Sequence, residues 1–158
     1  MFGITTAYRF YEKASSDFGD VQTDIADPRS AMNCILSLYP LHEWVWARWL
    51  KKRPDVQMKL QLRNKDSFDK WLDSNCPHFT LLQDLANGTK HCKPVHPTQK
   101  IEGFGHGPFG VGPFGMPYLL IDQGAQCSPR YLVASDVLAD QMAFWQIFFS
   151  THQIVDSE

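Results

Sequence analysis

The segment containing Asn87, Lys90 and His91 combines three side chains that handle anions and protons. The asparagine amide both donates and accepts hydrogen bonds, the lysine carries a fixed positive charge, and the histidine relays protons near neutral pH. Because a predicted helix unwinds past Gly88, the three side chains emerge close together, and they form a candidate catalytic site for a phosphate or carboxylate substrate. A purely structural role stays open, because Asn-Gly ends helices and cations complement a helix C-terminus.

His42 is the second candidate catalytic residue. It lies on the apolar stripe of another predicted helix, one turn before Trp46. If His42 is a catalytic acid or base, desolvation among the tryptophans would lower its pKa. If it is a structural residue, it would be buried and held by one hydrogen bond. We expect the two helices to pack together, so that His42 and His91 line one partly buried pocket. Asn87, Lys90 and Trp46 would form its walls.

Positive charge is concentrated in one short segment. The chain has 15 Lys and Arg against 17 Asp and Glu, a formal net charge of −2, which excludes a generally basic nucleic-acid coat. Residues 48–65 nevertheless carry seven cations and one carboxylate, whereas residues 101–158 carry one cation and six carboxylates. Residues 48–65 are therefore either a solvated surface or a binding surface for RNA or another anionic partner. The candidate anion-binding residues are Arg48, Lys51, Lys52, Arg53 and Arg63.

The cysteines predict a cytoplasmic protein without a metal site. Four cysteines lie far apart, with no Cys-x-x-Cys pair and no export signal at the N-terminus, which favours reduced, partly buried thiols. Cys76-x-His78 and His91-Cys92 suggest zinc ligands, but the helix predicted between them separates the pairs by about 20 Å. No Walker loop or Rossmann fingerprint occurs, so no cofactor is predicted.

Apolar periodicity predicts the helices that must position these residues. The clearest helix begins at Asp27-Pro28, an N-cap acceptor followed by a proline that suits the first turn, and ends near residues 52–54. Apolar residues recur along it at three- and four-residue spacing, and Pro40 is expected to kink it. Shorter helices are predicted over residues 5–17, after Ser67, after Pro77 as far as Gly88, and after Ser135.

Two segments before the last helix are predicted to be non-helical. Residues 93–117 are rich in Pro and Gly and indicate a loop, whose three phenylalanines should pack back onto the body because their exposure is costly. Residues 118–134 hold two apolar runs around a turn, which is typical of a β-hairpin. Residues 56–62 alternate polar and apolar side chains, and a strand, an extended linker and a continued helix all stay open. The phenylalanines of the loop are Phe104, Phe109 and Phe114.

Together these patterns predict one mainly α domain over residues 1–158, a helical bundle of four to five helices with a β-hairpin inserted before the last helix. A chain of 158 residues with 44% hydrophobic residues is long enough for one packed core. Its apolar runs are far shorter than the roughly 20 residues that a membrane-spanning helix needs, so no membrane partner is expected.

Two stretches of the sequence carry a resemblance to a known family. Leu-His-Glu-Trp-Val-Trp at 41–46 and Leu-Ala-Asn-Gly-Thr-Lys-His at 85–91, the latter preceded by Cys-Pro-His at 76–78, are similar to small bacterial and phage proteins. The helical core of those proteins in turn resembles the HEPN (higher eukaryote and prokaryote nucleotide-binding) bundle. In that superfamily, an arginine and a histidine of one helix are joined across a dimer and cut RNA without a metal.

The resemblance implies an RNA-interacting protein of toxin–antitoxin or anti-phage systems that forms a homodimer. His91 matches the family's histidine, whereas Gln83 stands nearest to the family's arginine and lies further from the histidine than is usual. The chain would therefore be a metal-independent ribonuclease or an inactive relative. The residues also leave open a non-enzymatic small-ligand or protein-binding module. That module would use the loop of residues 93–117 and a surface formed by Trp44, Trp46 and Trp49.

Overall fold

The structure is a computed structural model of the chain, and it describes residues 2–92 and 95–156. The described residues form six α-helices and three short strands, so the mainly α class is confirmed, while the number of helices and the third strand differ from the prediction. In chain order the elements are α1 (Ala7–Thr23), α2 (Pro28–Arg48), a 3-10 helix (Leu50–Lys52), α3 (Pro54–Lys59), α4 (Lys65–Asn75), α5 (Phe79–His91), β1 (Thr98–Ile101), β2 (Tyr118–Asp122), β3 (Tyr131–Val133) and α6 (Ala134–Thr151).

Helix α2 begins where the sequence predicts, because Asp27 provides the cap. Its carboxylate accepts hydrogen bonds from the backbone N–H groups of Arg29 and Ser30, at 3.1 and 3.2 Å, and Pro28 occupies the first turn. The hydrogen bonds to Ser30 and Arg29 lower the pKa of Asp27 below its usual range. The helix runs through Pro40 and ends at Arg48, and a short loop folds α1 back along it.

Aromatic side chains join α6 to the rest of the helical body. Trp145, Phe148 and Phe149 of α6 are buried, and Phe148 contacts the rings of Trp49 and Trp71 at centroid distances of 6.2 and 6.0 Å. Each such buried side chain contributes about 1.5–3 kcal/mol relative to exposure. The apolar surface of α6 therefore makes it the central helix, in contact with α1, α2 and strands β2 and β3.

The strands form an antiparallel sheet in the order β1-β2-β3. The predicted hairpin corresponds to β2 and β3, but β1 lies within the segment predicted to be a loop, which is a correction. On one face of β2, Leu119 and Ile121 pack on the helices, and Ile121 joins a cluster with Leu81 of α5 and Val137 of α6. On the other face, Tyr118 and Leu120 pack against residues outside the helices.

The three phenylalanines of the loop are exposed, which contradicts the prediction that they pack back onto the body. Phe104, Phe109 and Phe114 are 73%, 106% and 86% exposed. Val111 packs on the sheet instead, and the Tyr118 hydroxyl donates a 2.8 Å hydrogen bond to its carbonyl. The backbone turns of this glycine-rich loop thus direct a valine inward and the larger side chains outward.

Three local assignments are also settled by the structure. Residues 54–59 form a separate short helix that begins at Pro54 and buries Val56, so the strand, the linker and a continuation of α2 are all excluded there. Asn64, not Ser67, caps α4, and the two side chains form a reciprocal capping box. Helix α6 begins at Ala134 directly after β3, so Ser135 is not its cap.

No helix within residues 2–92 and 95–156 has the length and apolar character needed to cross a bilayer.

Candidate functional site

His42 is buried where α2 meets the beginning of α5. Its side chain is 2% exposed, and its ring lies 5.2 Å edge-on from the ring of Phe79 and 5.0 Å from that of Tyr39. Nδ1 donates a hydrogen bond to the carbonyl of Tyr39. Desolvation is the main cause that lowers the pKa of His42 below its ordinary value of 6.5, in the direction that the sequence predicts.

Asp69 of α4 lies beside the other nitrogen of this ring. Nε2 of His42 is 3.7 Å from Oδ1 of Asp69, while Oδ2 of Asp69 accepts a 2.8 Å hydrogen bond from Lys65. Oδ1 itself is buried without a hydrogen-bond partner among the described residues. In the neutral imidazole Nδ1 carries the proton, so Nε2 and Oδ1 are two acceptors that face each other. Protonation of Nε2, or a donor that contacts both atoms, would stabilise this arrangement.

A polar cleft of about 440 Å³ opens next to this pair. Asp69, Phe79 and Gln83 are among its lining residues. The side-chain amide of Gln83 donates a 2.9 Å hydrogen bond to the Tyr39 hydroxyl. Gln83 thus holds a ring that packs on His42, and it lies in the cleft as a neutral hydrogen-bonding group, not as a cation.

The prediction that His42 and His91 line one shared pocket is wrong. His42 packs on Phe79, at the N-terminal end of α5, whereas His91 is the last residue of that helix. Twelve residues at 1.5 Å rise separate the two positions by about 18 Å along the axis. Asn87, Lys90 and His91 are exposed on the last turns of α5, so they lie near one another but away from His42. Trp46 stacks on Phe68, with 6.0 Å between the ring centroids.

A second histidine–carboxylate pair was not found by the sequence analysis. Nε2 of His96, just before β1, lies 3.1 Å from Oδ2 of Asp84 on α5, and the histidine side chain is 17% exposed. The two residues are twelve positions apart in different elements, with no local pattern to join them. Nearby, Arg130 binds Asp122 through two hydrogen bonds of 2.9 and 2.8 Å, which lower the pKa of Asp122 to about 2.

The sulfur groups of the four cysteines are free thiols. Burial raises the pKa of both Cys34 and Cys76 to about 12, so neither is a ready nucleophile. Cys76 and Cys92 flank opposite ends of α5, which keeps the two Cys/His pairs apart. Among the residues that the structure describes, no three His, Cys, Asp or Glu side chains are placed to hold a metal ion together.

Three of the five predicted anion-binding residues line a single cleft of about 640 Å³. Arg48 at the end of α2, Lys52 and Arg53 form one side, and the start of α1 with the segment after α6 forms the other. Lys51 and Arg63 are exposed and do not line this cleft. We call it the basic cleft, and its lining residues are Thr5, Thr6, Ala7, Tyr8, Arg48, Trp49, Lys52, Arg53, Ile154 and Val155.

The cations of the basic cleft differ in how they are neutralised. Arg53 makes two hydrogen bonds to Asp55, at 2.9 and 2.7 Å, which lower the pKa of that carboxyl to about 2. Within the described parts of the sequence, no carboxylate lies within 4.0 Å of the charged groups of Arg48 or Lys52. The guanidinium of Arg48 lies 5.7 Å from the ring centroid of Trp44. These two cations are therefore available to an anion.

The chain was compared with protein-family profiles, with curated proteins and with solved structures, and none of them matches.

Proposed function

We propose that this protein is an RNA-interacting protein that binds the phosphate backbone in the basic cleft. The observation that supports the proposal best is that Arg48, Lys52 and Arg53 line one concave surface in a chain whose net charge is negative. Two of these cations are not neutralised by a neighbouring carboxylate of the described residues. A concave surface lined by one sign of charge attracts a polyanion and orients its backbone.

Aromatic rings next to the cations favour a single-stranded ligand. Trp49 and Tyr8 line the basic cleft and are half-buried, and the guanidinium of Arg53 lies 5.2 Å from the ring centroid of Trp49. Bases that are not paired stack on such rings, with about 1–3 kcal/mol per base in single-strand binding proteins. The cleft thus combines the two components that recognise single strands, a cationic groove and aromatic platforms.

The distance between the basic cleft and His91 favours binding without cleavage inside one protomer. Leu85 and Thr89, near the end of α5, lie beside Pro28 and Met32 at the start of α2. Arg48 is at the other end of α2, about 30 Å away along its axis. We infer that the protein acts as an inactive relative of the HEPN type, in a toxin–antitoxin or anti-phage setting. Cleavage would require a homodimer that brings His91 of a second copy to the cleft.

Fluorescence anisotropy with a labelled single-stranded RNA tests the proposal. The double variant Arg48→Gln/Lys52→Gln should weaken binding at least about tenfold and reduce the slope of log affinity against log salt by about 1.4, since each phosphate contact of a single strand contributes about 0.7. Arg29→Gln is the matched control, because Arg29 is an exposed cation at the opposite end of α2. Equal losses in the two variants, or no RNA binding by the wild type, would exclude the basic cleft. Gel analysis of the same RNA reports cleavage.

One observation favours the non-enzymatic binding module as a second candidate. The rings of Phe104 and Phe114 contact each other at 4.9 Å and, with Phe109, project from the loop as an exposed apolar group. Such groups commonly mark protein contacts. The tryptophans do not form a free surface, since Trp44 stacks on Phe10 at 4.8 Å. Sedimentation velocity over a concentration series tests self-association through the loop, which replacing the three phenylalanines by serine should abolish.

A further inference from the structure

A cleft of about 270 Å³ lies between the sheet and helices α2 and α5. The sheet packs on α5 and α6 through Ile121, whereas α2 packs on α1 and α5, so a gap remains between the sheet and α2. Its walls are mainly apolar, and Met32, Ile35, Leu85 and Leu119 are all incompletely buried there. The space is nearly twice the roughly 150 Å³ of an apolar cavity that holds benzene. We call it the apolar cleft.

The rim of the apolar cleft carries one cation. Among the described residues that line it, Lys100 of β1 is the only charged one. The strand register pairs Lys100 with Leu119 and Thr98 with Ile121, so alternation along β1 places both polar side chains on the face that meets the helices. Nζ of Lys100 is 3.6 Å from Glu102, an exposed pair that a better partner can replace.

We propose that the apolar cleft binds a small amphipathic carboxylate, namely a medium-chain aliphatic acid. The hydrocarbon tail lies against Met32, Ile35 and Leu85, and the carboxylate lies at the rim with the ammonium of Lys100 and the hydroxyl of Thr98. Apolar walls exclude a phosphate-rich ligand such as a nucleotide, and the charge of the rim selects an acid over a neutral molecule of the same length. The site lies at the end of α2 opposite to Arg48, so it is independent of RNA binding.

The hydroxyl of Thr89 lines the apolar cleft on the α5 side. It donates a 3.0 Å hydrogen bond to the carbonyl of Leu85, which leaves its oxygen lone pairs facing outward as acceptors. A carboxylate has no proton to give to that oxygen, whereas an alcohol does. The carboxylate is therefore directed towards β1, where Lys100 and Thr98 lie, and not towards α5.

Calorimetric titration with decanoate and with decanol, both below the concentrations at which they aggregate, tests the proposal. Decanoate should bind about tenfold more tightly than decanol, because one charge-assisted hydrogen bond to Lys100 contributes about that much affinity. Lys100→Gln should remove this preference while decanol binding persists, and Lys59→Gln, an exposed lysine of α3, should leave it intact. Backbone amide shifts caused by decanoate should map to residues 31–35, 85–89, 98–101 and 119–121.

Three results would overturn the proposal. Equal affinity for decanoate and decanol would show that Lys100 does not bind the carboxylate of the ligand. Shifts confined to other residues would place the ligand elsewhere. Tighter binding of a peptide that ends in leucine with a free carboxylate would identify the C-terminus of a polypeptide, not a free acid, as the ligand. Leu85→Phe, which narrows the cleft without a polar change, should weaken both ligands if the hydrocarbon tail lies where we propose.

Discussion

Nε2 of His42 faces Oδ1 of Asp69 across 3.7 Å, with the imidazole 2% exposed and its other nitrogen bonded to the carbonyl of Tyr39. Desolvation disfavours the charged imidazolium, and Lys65 disfavours it further, whereas Asp69 and Glu43 favour it. Desolvation is the largest of these effects, so the neutral ring prevails in the folded protein near neutral pH. His42 is therefore neutral beside the Asp69 carboxylate near neutral pH, and acid will protonate it.

The stability of the protein should fall as the pH decreases below about 6.5, the ordinary pKa of histidine. The folded pKa of His42 lies below 6.5, so the unfolded chain binds more protons between the two pKa values. The stabilisation is fully present above about pH 6.5 and is lost as the pH falls through the folded pKa. Urea unfolding at a series of pH values measures how steeply the free energy of unfolding depends on pH. This dependence should be weaker in His42→Gln than in His106→Gln, a control at an exposed histidine. Identical slopes would assign the acid sensitivity to other groups, such as His152, whose pKa is also lowered by burial.

His42→Ala and His91→Ala should differ in their effect on stability. His42→Ala removes the side-chain hydrogen bond to the carbonyl of Tyr39 and opens space beside Phe79, so it should lower the free energy of unfolding by about 1–3 kcal/mol. His91 is exposed on the last turn of α5, so His91→Ala should change stability by less than about 0.5 kcal/mol. Denaturant unfolding measures both. Loss of RNA cleavage in His91→Ala, with the fold unchanged, would identify His91 as a catalytic residue.

Local signals explain which parts of the fold could be predicted from the sequence. The start of α2 was predictable because Asp27 and Pro28 act through their own backbone neighbours. Strand β1 was missed because only Ile101 of its four residues is buried, so the segment has no apolar alternation. The orientation of Phe109 was missed because backbone turns, not side-chain hydrophobicity, decide which residues of the loop face the body.

The candidate site depended on long-range packing, which the sequence did not specify. Periodicity identified α2 and α5 as partners, and they do pack together. Periodicity did not reveal which end of α5 contacts His42. His42 contacts the N-terminal end of α5, and His91 lies at the C-terminal end, so the two histidines are far apart. The basic cleft was partly predictable, since charge counting identified Arg48 and Lys52. Its opposite wall, at Thr6, comes from a distant segment that only the fold brings there.

Replacing the exposed phenylalanines should leave the fold intact. Phe104, Phe109 and Phe114 bury little area, so the triple serine variant should keep its free energy of unfolding within about 0.5 kcal/mol. Tyr118→Phe should instead cost about 1 kcal/mol, because the carbonyl of Val111 loses the hydrogen bond from the tyrosine hydroxyl. Thermal unfolding followed by circular dichroism compares the two. A large loss in the triple variant would mean that the loop packs on the body in solution.

Gly112 and Gly110 provide a matched pair that tests how the loop contacts the sheet. Both have a positive φ, +77° and +75°, so an alanine at either position is strained by a similar amount, about 1–2 kcal/mol. A Cβ at Gly112 would lie 2.5 Å from Cζ of Tyr118, whereas a Cβ at Gly110 meets nothing within 4 Å. The tyrosine is 3% exposed and packed among sheet residues, so its ring has little room to retreat.

Gly112→Ala should therefore destabilise the protein more than Gly110→Ala does, by about 1–3 kcal/mol, the usual cost of overpacking a buried contact. The difference between the two free energies of unfolding isolates the contact with Tyr118, because the backbone strain cancels. In a Tyr118→Ala background, Gly112→Ala and Gly110→Ala should lower the free energy of unfolding by similar amounts, since the alanine at position 112 then meets no ring. Equal destabilisation by Gly110→Ala and Gly112→Ala would show that the loop does not rest on Tyr118, and that the outward orientation of the phenylalanines has another cause.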